Sequence, residues 1–175
     1  MNIILIGYRG TGKSVVGRLL AKQLKRKLYS LDQRIVEKSG LSIPEFVARY
    51  GWPKFRQLES EVVDEVCQAA RDAVIDCGGG VILDRRNVDR LQKTGRLVLL
   101  TVEFDTLMKR LARDRNRPAL LDGVSFEEEQ RRVLEEREAK YNEAADIICD
   151  TTRNRPEDTA SEIIESFRKK GWINP

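Results

Sequence analysis

Residues Gly7-Tyr8-Arg9-Gly10-Thr11-Gly12-Lys13-Ser14 satisfy G-x-x-x-x-G-K-[ST] at every fixed position. An apolar run, Asn2–Ile6, precedes them and reads as a buried strand. Lys13–Lys25 follows as a helix, with Val15, Val16, Leu19, Leu20 and Leu24 on its apolar side. In that setting the glycines let the backbone curl until successive N–H groups point inward at phosphate oxygens. The helix adds its positive N-terminal end. Lys13 is placed to reach the β- and γ-phosphates of a nucleoside triphosphate, and the Ser14 hydroxyl to ligate Mg²⁺. Nucleotide contacts then run from Gly10, Thr11 and Gly12 through Lys13 and Ser14 to Val15. Hydrolases, motors and small-molecule kinases share such a loop, so the rest of the chain must choose among them.

The 175 residues suit one domain, and no internal repeat, low-complexity tract or long linker divides them. Further strands are expected at Leu28–Leu31, Ala73–Cys77, Leu97–Val102 and Asp146–Cys149. Helices are expected at Ile43–Tyr50 and Phe55–Ala70, separated by Gly51-Trp52-Pro53, and at Arg85–Thr94, which Gly95 would cap. Phe104–Arg113, Ser125–Ala144 and a last helix opened by Pro156 complete the pattern. Apolar strands alternating with helices predict an α/β fold whose parallel sheet is covered on both faces. Ligands in such sheets bind beyond the carboxyl ends of the strands.

Composition removes several function classes. No apolar run approaches the about 20 residues that span a bilayer, and the start lacks a basic leader. The net charge of +4 comes from 32 basic and 28 acidic residues mixed along the chain. With aromatics at only 6%, no basic stripe with stacking residues marks a nucleic-acid binder. Three scattered cysteines suggest the reduced thiols of a cytoplasmic protein, not a disulfide framework or zinc site. Histidine is absent, so acid–base chemistry must use carboxylates, lysines or tyrosines.

The other strand ends carry the chemistry. Asp32, after the second strand, can orient the proton of an attacking hydroxyl as kinase aspartates do, or can cap the helix starting at Gln33. Arg56 and Glu59, three apart, either pair on a surface or hold a guanidinium fork ready for a carboxylate. Gly78-Gly79-Gly80, after the third strand, suggests close approach of backbone to a ligand. Arg113–Arg117, with Pro118 after it, reads as a loop able to cover ATP and exclude water, or as a solvated basic loop. Arg137 alone carries little information.

Taken in order, these residues resemble the shikimate kinase family along essentially the whole chain. The likeness rests on Gly7–Ser14, Asp32, Phe55-Arg56 with Glu59, Gly78–Gly80, Arg117-Pro118, Arg137 before Tyr141, and Arg153. It implies a P-loop nucleoside-triphosphate hydrolase type fold with a five-stranded parallel sheet flanked by helices. A helical substrate-binding insertion would span about residues 33–59 and a lid about 112–124. By the same resemblance Asp32 touches the reacting hydroxyl of shikimate, and Arg56, Arg137 and the Gly79 backbone hold its carboxylate. Arg117 is the lid cation on the ATP phosphates, while Arg110, Arg153 and Pro156 lie near the adenine. The expected activity is transfer of the γ-phosphoryl of MgATP to the 3-hydroxyl, in the biosynthesis of chorismate and aromatic amino acids, by a cytoplasmic and monomeric enzyme. Another small hydroxy acid such as gluconate, or a catalytically weak nucleotide-binding homologue, is the alternative.

The chain departs from the family at the metal. Many members carry Asp-x-Asp where this one has Ser30-Leu31-Asp32, and the first aspartate helps to hold Mg²⁺ through water. Ser30 can bond such a water but brings no charge. Asp76, beside the glycines, either restores a carboxylate there or is incidental.

Overall fold

The computed structural model describes residues 1–113 and 119–174. β1 (Asn2–Ile6), β2 (Leu28–Ser30), β3 (Val74–Asp76), β4 (Gly95–Thr101) and β5 (Ile147–Asp150) form one parallel sheet in the order β2-β3-β1-β4-β5. Between them run α1 (Lys13–Leu24), α2 (Leu31–Ser39), α3 (Ile43–Ala69), α4 (Arg85–Thr94), α5 (Phe104–Leu111), α6 (Phe126–Ala144) and α7 (Pro156–Lys169). The expected doubly covered parallel sheet is therefore present, with strand limits displaced by a residue or two.

Period-two alternation explains why β1 reads as continuously apolar. Ile4 and Ile6 join Ile75, Leu97 and Leu99 on one face, with α3, α4 and α6 residues such as Val62, Leu91 and Val133 over them. Ile3 and Leu5 join Val74, Val98 and Leu100 on the other, under Val16 and Leu20 of α1 and Ile163 and Phe167 of α7. Each residue from Ile3 to Ile6 buries its side chain in one of two cores, while the buried amide of Asn2 is satisfied by the Ala70 carbonyl and the Ala73 amide. Fully burying one such side chain contributes about 1.5–3 kcal/mol, which makes β1 the mechanical centre of the sheet.

The break expected at Gly51 is present: α3 is two helices joined across a kink, where Gly51 leaves helical geometry at φ 80°, ψ 166° and Pro53 falls in the first turn beyond it. Another local expectation is corrected. Asp32 does not cap α2. Ser30 does, its hydroxyl accepting from the Gln33 amide at 3.3 Å, and Asp32 lies in the first helical turn. Gly95 closes α4 as expected, its amide donating to the Leu91 carbonyl, but it does so in extended geometry at φ −170° and also begins β4 in register with Asn2.

The reason for glycine at position 95 is space. A Cβ there would collide with the backbone carbonyl of Asn2, which cannot move without disturbing β1. Gly95→Ala should therefore cost about 1–3 kcal/mol by overpacking, even though any residue can adopt its backbone angles. Urea unfolding monitored by circular dichroism measures this, and an unchanged midpoint would contradict the account.

Candidate active site

The loop between β1 and α1 is built as its glycines predict. Gly10 and Gly12 lie at φ 78° and 95°, a region closed to most side chains, and Gly12 leads directly into α1. Thr11 ties the curl by donating to the Tyr8 carbonyl at 2.8 Å. The Lys13 ammonium, largely buried, donates to the Gly7 and Tyr8 carbonyls at 2.8 and 2.9 Å. Ser14 donates to the Asp76 carboxylate at 2.6 Å.

Beside this loop lies a cavity of about 250 Å³ lined by Gly10, Thr11, Gly12, Val15, Arg110 and Pro156, among others. Arg110 is held there by the Gly10 carbonyl at 3.2 Å and the Thr151 carbonyl at 2.7 Å. Arg153 is exposed on the neighbouring loop and does not line the cavity, whereas Asn154 and Thr159 do. Thr151 escaped the sequence reading. It is buried, and its hydroxyl meets the carbonyls of Thr11 and Thr101 at 3.0 and 2.9 Å, fastening the loop to the end of β5.

A second cavity, about 460 Å³, opens on the other side of the loop. That volume suits a small molecule. Asp32, Arg56, Glu59, Gly78, Gly79, Gly80 and Arg137 all line it, although they come from four separate stretches of chain. Tyr8 and Arg9 of the phosphate loop form its inner wall, and Val36, Ile43, Pro44 and Trp52 an apolar outer one. Three arginines, Arg9, Arg56 and Arg137, line the cavity against two carboxylates, Asp32 and Glu59, so it favours an anion.

Arg56 is fixed from three sides. It donates to Glu59 at 2.7 Å and lies 5.1 Å from the ring centroids of both Trp52 and Phe55. Such cation–π contacts contribute about 0.5–2 kcal/mol each. Burial pushes the Glu59 carboxyl above the usual range, and the charge of Arg56 opposes that rise. The pair is therefore part of the cavity and not a surface pair. Aromatic residues one and four positions before Arg56 were the missed signal. Arg137 donates to the Gly79 carbonyl at 3.3 Å, and the Tyr141 hydroxyl donates to the same oxygen. Burial also raises the Tyr141 phenol well above its ordinary value, which keeps it a donor.

The glycine triplet makes room for side chains. A Cβ on Gly78 would lie 2.8 Å from Asp32 Oδ1 and 3.2 Å from Glu59 Oε1, and one on Gly80 would overlap the Arg56 guanidinium. Only Gly79 is bounded mainly by backbone and by the Tyr141 hydroxyl. The close approach expected of a ligand is made here by protein groups, which occupy part of the space.

A buried relay, also missed, joins the phosphate loop to residues 119–121. Tyr8 donates to Gln130 at 2.7 Å, Gln130 to Glu129 at 2.9 Å, and Glu129 accepts from the Leu120 amide and, at 2.9 Å, from that of Leu121. Trp52 donates to the Ala119 carbonyl at 3.3 Å. The expected lid cation, Arg117, lies outside the described residues.

Magnesium would find hard oxygen donors at Ser14 and Asp76. Among the described residues no group of three or more His, Cys, Asp or Glu forms a cage. That fits an ion bound mostly through phosphates and water with one or two carboxylates.

A profile of the shikimate kinase family matches residues 9–168. The chain belongs to that family. It is 42% identical over 162 residues to the shikimate kinase of Geobacter metallireducens, covering 93% of this chain and 89% of that one. The shikimate kinase of Leptospira biflexa is 36% identical over 176 residues, with 94% of each covered. The structure of shikimate kinase from Acinetobacter baumannii in complex with shikimate superposes with a TM-score of 0.91 at 31% identity, over 98% of this chain and 95% of that one.

Gly80→Ala separates fold from site. Its methyl meets the movable end of Arg56, so stability should fall by no more than about 1–3 kcal/mol. Displacing the fork should raise the dissociation constant for shikimate about tenfold or more while leaving that for ADP unchanged. Calorimetric titration with each ligand checks this, and equal losses for both would refute it.

Proposed function

We propose that the chain transfers the γ-phosphoryl group of MgATP to the 3-hydroxyl of shikimate, giving ADP and shikimate 3-phosphate. One observation carries the reading. Arg56 and Arg137, far apart in sequence, line one cavity with Asp32, and the phosphate loop walls that cavity through Tyr8 and Arg9. A ring alcohol bearing a carboxylate matches this charge pattern, and shikimate is the ligand of the Acinetobacter enzyme.

In the reaction the 3-oxygen attacks the γ-phosphorus, the bond to the β,γ-bridging oxygen breaks, and the hydroxyl proton passes to Asp32. Arg56, held by Glu59, and Arg137 seat the carboxylate so that the hydroxyl points at the phosphate. Such placement supplies much of the acceleration in phosphoryl transfer. Lys13 would exchange the Gly7 and Tyr8 carbonyls for phosphate oxygens, and Arg117 would add a second cation. Ser14, together with the nucleotide, would hold a magnesium ion, which would supply further charge neutralisation. Gly10 to Val15 contact the phosphates, Arg110 and Pro156 border the base, and Arg153, now exposed outside the cavity, would turn inward from the neighbouring loop to reach it.

In this reading residues 33–59 are the substrate-binding insertion and 112–124 the lid that keeps water from the phosphoryl group. Both cavities are completed within one chain, which suits a monomer working in the cytoplasm. Among the described residues no helix is long and apolar enough to cross a membrane.

A coupled assay of ADP release should give turnover with shikimate, and little with gluconate or without acceptor. Asp32→Asn should keep its melting temperature and lose about 10²–10⁴-fold in kcat. Arg137→Ala removes a charged partner worth about 2–5 kcal/mol in comparable contacts, so the KM for shikimate should rise far more than that for ATP. An unchanged shikimate KM would exclude the assigned role.

A further inference from the structure

Asp76 ends β3 and is 6% exposed. It is in register with Leu5 of β1 on one side and with Ser30 of β2 on the other. Its side chain lies on the sheet face covered by α1, for a Cβ on Gly17 would come within 3.9 Å of Asp76 Cβ and 3.4 Å of Leu5 and Leu28. There its Oδ2 accepts from the hydroxyl of Ser14, the loop residue whose type and position suit a metal ligand, at 2.6 Å. Ser30, level with it on the next strand, spends its hydroxyl capping α2. Asp32 lines the acceptor cavity instead.

We propose that Asp76 is the carboxylate through which this chain holds the magnesium of its nucleotide, so that the metal's negative partner stands on β3. In phosphate-loop proteins the ion is held by the loop serine or threonine and an aspartate on a neighbouring strand. Asp76, on the strand beside β1 and bonded to Ser14, has that geometry. The strand exchange also separates two tasks. The metal carboxylate sits on β3, and the hydroxyl-orienting carboxylate on the first turn of α2, so either can be altered without the other. The inference rests on the MgATP reading above.

The test measures ADP affinity by calorimetry, first in a metal chelator and then across a magnesium titration, for the wild type and Asp76→Asn. Without metal the two should bind ADP alike. With metal, the wild type should tighten, and the variant should need about 10–100-fold more magnesium for the same effect, the range seen when a metal's supporting carboxylate is lost. A variant with the wild-type magnesium dependence overturns the proposal. The double variant Asp76→Ser with Ser30→Asp moves the charge back across one strand while keeping a good cap for α2. It should recover the magnesium effect, and it decides the matter if Asp76→Asn does not fold: recovery supports the assignment, and a folded double variant without it refutes the assignment. An Asp76-dependent magnesium effect in a protein that does not phosphorylate shikimate would remove the proposed activity and leave this inference standing.

Discussion

Parallel pairing forces every strand of this sheet to deliver its carboxyl end to the same edge. β1 sits in the middle of the order β2-β3-β1-β4-β5, so the phosphate loop it feeds has neighbours on both sides. To one side β2 and β3 bring Ser30, Asp32, Asp76 and the glycine triplet. To the other β4 and β5 bring Thr101 and Thr151. The separation of an acceptor cavity from a nucleotide cavity follows from that order, because each is walled by the loop and by one half of the sheet. Were β1 an edge strand, one of the two would have to be built from loops alone.

Much of this is legible in the sequence, for a physical reason. The phosphate loop, Asp32 and the glycine triplet are local patterns whose meaning depends on a few adjacent residues and a strand just before them. The functional value of Arg56 and Arg137 was not local. Arg56 with Glu59 looks like any helical ion pair until the kink at Gly51 and the stacking rings of Trp52 and Phe55 are known. Arg137 is one arginine among several on α6 until Gly79 is seen beside it. Only the resemblance to a family named these two in advance; the structure brings both to the wall of one cavity.

What stayed hidden were contacts across long separations. The hydroxyl of Tyr8 meets Gln130 at a distance of 122 residues in sequence, and nothing around either residue announces the other. Gly95 was legible as a glycine but not as one squeezed against Asn2, since a helix end predicts the same residue for a different reason. The glycine triplet taught a similar lesson. Close approach was expected of a ligand, whereas the groups that come close are Asp32, Glu59 and Arg56. Glycines beside a binding cavity can serve the arrangement of the protein's own charges before they serve a ligand.

That arrangement bears on how the enzyme could favour its acceptor over water. Phosphoryl transfer requires little covalent help, so selectivity rests on which hydroxyl stands in line with the phosphate and on what excludes the others. Leu120 walls the acceptor cavity, while Arg110, at the other end of the connection between α5 and α6, borders the nucleotide cavity. The amides of Leu120 and Leu121 are bonded to Glu129, which is chained through Gln130 to Tyr8 of the phosphate loop, and the preceding carbonyl is bonded to Trp52 beside Arg56. A ligand that moves Arg56 or Trp52 therefore pulls on the same short segment as one that moves the loop around Tyr8. Buried polar chains of this kind have little tolerance for half-made states, because each lost bond leaves a desolvated group unpaired at about 1–3 kcal/mol. The segment from Ala119 to Leu121 is thus bonded both to the phosphate loop, through Glu129 and Gln130, and to the aromatic wall beside Arg56.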